Sequence, residues 1–79
     1  MSIYFDQKEI FISVHAIKRA RKRNIAYPDQ VYDVIKTGKV TRFGKNGIKF
    51  IKRSKNGSII CVGEDKGYII IIKTIERGN

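Results

Sequence analysis

The stretch KVTRFGKNGIKFIKRSKNGSIICVGEDKGYIIIIKTI, residues 39–75, decides how this chain folds. Asn46-Gly47, Asn56-Gly57 and Lys66-Gly67 punctuate it, and the runs between them are rich in isoleucine, valine, threonine and aromatic residues. Asn-Gly supplies the positive φ that a two-residue hairpin turn demands, and β-branched side chains suit a pleated surface. The reading is an antiparallel meander of four strands, over residues 39–43, 48–53, 59–62 and 68–75. The first two runs carry several charges and the last two almost none, which puts the last two at the buried centre of the sheet.

Upstream of Gly38 the apolar spacing changes from two to that of a helix. Pro28 at a first helical position, Asp29 at the positive end of the dipole, and Val31, Val34 and Ile35 on one side describe a helix that Gly38 ends. Before it, Ser13 is a good N-cap and Asn24 suits the left-handed position after a helix, with Ile25 free to pack back on the last turn, so another helix spans residues 14–23. Residues 3–12 fit either a short strand or an extended arm. The expected fold is α+β: two N-terminal helices packed on a four-stranded antiparallel meander sheet, with an extra N-terminal strand left open. All of residues 1–79 form one domain, since 79 residues leave no room for a second.

The chain has 17 basic and 7 acidic residues, a formal charge of +10 that points first to nucleic acid as partner. No acid lies between Ser13 and Pro28 or between Val34 and Val62, so two long segments are purely cationic. The single Cys61 excludes an internal disulfide framework and a cysteine-based zinc site; inside SIICVG it reads as a small core residue. Charges interrupt MSIYFDQKE where a secretion signal would need an apolar run, and the uncharged run of residues 68–72 is far below the roughly 20 residues of a membrane helix. A cytoplasmic, soluble protein is expected. One histidine and no carboxylate pattern make metal ligation poor, and no metal or cofactor is expected.

On a helical wheel of about 100° per residue, His15, Lys18, Arg19, Lys22 and Arg23 fall within roughly 140°, opposite Ala16, Ile17 and Ala20. His15, Arg19 and Arg23 form a row at intervals of four, which like-charge repulsion disfavours unless something compensates. One reading is a solvated charged face; the other is phosphate binding, with Lys18, Arg21 and Lys22 as supporting charge. Neighbouring cations and the helix dipole disfavour imidazolium, so His15 is expected to be neutral at pH 7 and able to accept a proton from a ribose 2′-hydroxyl while Arg19 and Arg23 hold the phosphate. An ordinary hydrogen-bonded histidine near a helix start is the bland alternative.

The motif H-A-x-x-R-x-x-x-R, here His15, Ala16, Arg19 and Arg23, followed by Asn24 and Ile25, resembles the start of a widespread family of small bacterial and archaeal domains of unknown function. The succeeding helix, the meander and a final strand closing on Ile72, Lys73, Thr74 and Ile75 fit the same pattern. That family is similar to the superfamily of barnase, EndoU, colicin and RelE nucleases, including the RelE-type and BrnT-type toxins. The resemblance implies a metal-independent endoribonuclease that cleaves RNA through a 2′,3′-cyclic phosphate, with ribosome-bound message among its substrates, and an acidic antitoxin partner. It assigns catalytic roles to His15, Arg19, Arg23 and Thr74; Asn24 stands where the family usually has glycine.

Strand alternation adds nucleic-acid contacts. Lys49 and Arg53 share a face with Ile51, opposite Ile48, Phe50 and Lys52, and Tyr68, Ile70, Ile72 and Thr74 are read as sharing a face of the last strand. Lys49 and Arg53 are candidates for phosphate, Tyr68 for stacking a base, and Lys73 and Arg77 for further phosphate contacts, beside Lys18 and Lys22 on the helix. The leading function is RNA cleavage of the toxin type. The rival is a non-catalytic nucleic-acid-binding or regulatory module using the same basic face.

Overall fold

The structure, a computed structural model, describes residues 2–78. The C-terminal half is the expected meander: β3 (Lys39–Phe43), β4 (Gly47–Ser54), β5 (Gly57–Asp65) and β6 (Ile69–Gly78), each antiparallel to the next. Gly44, Gly57 and Gly67 take the positive φ values at its three turns.

The sheet does not stop there. Two further strands, β1 (Ile3–Phe5) and β2 (Lys8–Ile12), form a hairpin whose second strand pairs in parallel with β6, from Glu9 opposite Ile69 to Ile12 opposite Ile72. The result is one six-stranded mixed sheet in the order β1-β2-β6-β5-β4-β3, and strand dominates the chain. This corrects the expectation of two helices on a four-stranded antiparallel meander. The physical reason lies in β6: as the meander's last strand it would expose an unpaired, isoleucine-rich edge, and β2 closes that edge over Ile69 to Ile72. β5 and β6 are the two central strands.

A second correction concerns which residues of β6 share a face. Opposite Val62 and Gly63 the register jumps from Thr74 to Ile72, so Lys73 is the extra residue of a β-bulge. Burial shifts with it: Ile70 and Ile72 are buried, Lys73 is exposed, and burial resumes at Ile75. Thr74 and Glu76 therefore leave the face of Ile70 and Ile72 and join the opposite one, with Val62 and Ile60 as their neighbours on β5. Gly63 is required at the irregularity, since a Cβ there would collide with the Ile71 carbonyl.

The buried face of the sheet carries Ile10, Ile48, Phe50, Ile59, Cys61, Ile70, Ile72 and Ile75. Helix α2 (Asp29–Thr37) covers β4 and β5 with Val31, Val34 and Ile35, and Phe5 meets Phe50 edge to face with centroids 5.2 Å apart. Among the described residues no polar or charged residue is buried in this core. Burial pushes the Cys61 thiol up to about 12, so it stays protonated and acts as a small apolar side chain.

Candidate nucleic-acid interface

Helix α1 (Val14–Lys22) begins as expected: the Ser13 hydroxyl accepts the Ala16 N–H at 3.0 Å, while the Ser13 N–H donates to the Ile72 carbonyl and so fixes the helix start against β6. It ends in a Schellman turn. Asn24 adopts φ 57°, the Ile25 N–H returns to the Ala20 carbonyl and the Asn24 N–H to that of Arg21, and Ile25 is buried. Ala16 and Ala20 are fully buried, which brings the helix axis close beside the second half of β6, where β2 has ended. Arg77 locks the far end by donating to the Arg23 carbonyl through Nε and Nη2, at 3.3 and 3.2 Å, and to Ser54 and Asn56.

The expected row divides on this geometry. Arg19 Nη2 donates to both carboxylate oxygens of Glu76, at 3.2 and 3.0 Å, and Arg23 Nη2 lies 2.8 Å from Oε1. The Thr74 hydroxyl donates to Oε2 at 2.6 Å. Glu76 is thus the group that makes the paired arginines tolerable, and sequence reasoning missed it. Thr74, and behind it Arg19 and Arg23, hold its carboxyl below the ordinary glutamate range. Its signal was available: it stands two residues beyond Thr74, on the same side of a strand. His15 lies one turn before Arg19, exposed, with no hydrogen bond among the described residues.

The remaining candidates scatter. Lys18 and Lys22 project from α1 as exposed side chains. Lys49 pairs across the sheet with Val62, which pairs with Thr74, so Lys49, Arg53, Thr74 and Glu76 share the face that neither helix covers. The Lys49 ammonium sits 5.7 Å from the Phe43 ring centre, a cation–π contact, and Arg53 is exposed. Lys73 is tied to Glu64 at 3.0 Å, and Arg77 serves α1, so neither stands free for phosphate. Tyr68 precedes β6 and is exposed, away from the row.

Unlike the buried face, this open one leaves Ile51, Ile60, Val62, Ile69 and Ile71 partly accessible and Phe11 and Phe43 exposed. Among the described residues, Lys18, Arg21 and Lys22 of α1 and Lys39, Lys49 and Arg53 of the β3–β4 hairpin enter no ion pair. The arrangement is an accessible, partly apolar sheet with unpaired cations along both flanks. It suits backbone phosphates at the margins and base faces on the floor.

A second charged cluster stands at the end of the sheet. Asp65, only 8% exposed, accepts from Lys8 Nζ and Arg42 Nη1, both at 2.8 Å, and from the Gly67 N–H. Lys8, then Arg42 and the Gly67 amide, hold this carboxyl well below the usual aspartate range. Because the folded value is depressed, the stabilisation is present above the unfolded value of about 3.9 and is lost as pH falls through the folded one. Acid denaturation below about pH 4 is therefore expected to be blunted in Asp65→Asn relative to wild type, read as a flatter acid limb of the melting temperature against pH; parallel limbs would refute the assignment.

Among the described residues no three His, Cys, Asp or Glu side chains converge as a metal site needs, and no helix is long and apolar enough to cross a membrane. Compared with family profiles, curated proteins and solved structures, the chain matches none of them.

Proposed function

We propose that this protein binds single-stranded RNA across the open sheet face, with α1 as one cationic flank and the β3–β4 hairpin as the other. One observation carries the reading: Lys18 and Lys22 of α1 and Lys39, Lys49 and Arg53 of the β3–β4 hairpin, none of them in an ion pair among the described residues, flank an uncovered sheet, while Glu64, Asp65 and Glu76 are each taken up by cations of their own. Phosphates supply affinity and Phe43, with Lys49 beside it, offers a base a ring to stack on. Fluorescence anisotropy with a labelled oligonucleotide tests it. If four phosphates are engaged, affinity should fall roughly fiftyfold between about 50 and 200 mM salt, with the slope reduced in the Lys18→Ala/Lys22→Ala pair. Salt-independent binding, or equal loss from substituting Lys36 on α2, sinks the reading.

A second reading, metal-independent cleavage, draws on one further observation: His15 is exposed on the same helical row whose next two members grip the Glu76 carboxylate. An imidazole or a carboxylate is a group able to carry the proton transfer at a 2′-hydroxyl, and arginines can hold the phosphate beside it. RNA incubated with the protein in chelator, with His15→Ala and Glu76→Gln as controls and fragment ends analysed, separates the two. Cleavage lost in both variants supports catalysis; intact RNA leaves binding alone.

A further inference from the structure

The cluster around Asp65 borders a depression of about 500 Å³ between the β3–β4 and β5–β6 turns. Four cations, Lys8, Arg42, Lys45 and Lys66, line it against one lining acid. Asp6 approaches Lys8 at 3.9 Å and Arg42 at 4.0 Å and Glu64 holds Lys66 at 2.7 Å, so counting both leaves a surplus of one positive charge. A positive surplus, with Lys45 free of any ion pair among the described residues, favours an anionic group.

Asp65 explains how the cations are held ready. Its nearly buried carboxylate clamps the Lys8 ammonium and one nitrogen of Arg42, fixing both side chains while Arg42 stays half exposed and keeps further N–H donors for a ligand. Lys45 is exposed and enters no ion pair among the described residues, and the turn backbone is open: a Cβ added at Gly44 or Gly67 would meet nothing within 4 Å. No large apolar side chain lines the depression, so the charged end of a ligand, and not a base, is what it can recognise. Asp65 pairs across the sheet with Ile70, a buried-face residue, so the depression lies on the other side from Thr74 and Glu76.

We propose that this depression is a binding site for a phosphomonoester, as borne by a mononucleotide or by the 5′-phosphate end of a nucleic-acid strand. The test is a proton–nitrogen correlation titration of the whole chain with AMP, adenosine, and a short oligonucleotide carrying a 5′-phosphate or a 5′-hydroxyl. AMP should shift the amides of residues 44–47 and 66–67 saturably, and adenosine should leave them in place. Arg42→Gln should weaken AMP about tenfold and Lys45→Ala about threefold, the second variant touching no ion pair that the fold uses. If only the 5′-phosphorylated strand moves these amides, the ligand is a strand end; if AMP suffices, it is a free mononucleotide. Indifference to the phosphate in both pairs of ligands, or AMP shifts confined to α1, overturns the site. Because AMP does not need the open sheet face, this outcome is independent of whether the chain binds RNA there.

Discussion

Phe50→Ala is expected to cost about 3–5 kcal/mol, the range for emptying a large aromatic site in a packed core. Phe50 sits on β4 between Val40 and Cys61, is fully buried, and meets the Phe5 ring edge to face. It therefore joins the N-terminal hairpin to the meander, and no neighbour can collapse into its place without dragging a strand. Small domains have only about 5–15 kcal/mol in all, so the variant should lose most of its denaturant midpoint. The smaller truncation Phe50→Leu, which leaves less of a void, should cost less. An alanine variant within about 1 kcal/mol of wild type would show that the sheet and hairpin are not joined through this ring.

Glu76→Gln is expected to do the reverse: little to stability, much to RNA. The ion pairs it removes are about one-third exposed on both partners, and pairs of that kind contribute no more than about 1 kcal/mol. Yet the substitution removes the carboxylate that occupies Arg19 and Arg23, leaving two guanidiniums on successive turns of α1 for a phosphate. Affinity for single-stranded RNA should rise about tenfold at low salt, with the gain shrinking as salt is added. Unchanged affinity would place the RNA path away from the arginine row. A large loss of stability would mean that Glu76 anchors α1 and does not merely neutralise it.

The meander was legible because each of its turns announces itself with glycine and each strand with β-branched residues. The caps of α1 were equally plain, since Ser13 and Asn24 act through local chemistry. Three features were not. The β1–β2 hairpin turns on Asp6 and Gln7, at φ 55° and 65°, without the glycine that marks such turns. Its parallel pairing with β6 joins residues some sixty positions apart, which no local pattern encodes. The bulge at Lys73 follows four consecutive isoleucines, a run with no alternation from which to read a face, so Thr74 was assigned to the wrong side. The division of the basic row, by contrast, was within reach. Taking the Ala16–Ala20 stripe as the buried meridian, Arg23 lies about 40° from it, Arg19 about 80° and His15 about 120°, the order in which they turn from sheet to solvent.

The parallel pairing of β2 with β6 has a consequence for synthesis. A ribosome delivers residues 8–12 some sixty residues before their partners, residues 69–72, so the N-terminal hairpin waits for its neighbour while the whole meander is made. Helix α1 waits too, because its start is pinned to Ile72, its arginines to Glu76 and its end to Arg77. The basic face is thus assembled only once β6 emerges, and a nascent chain cut short before it presents its cations on an unanchored helix.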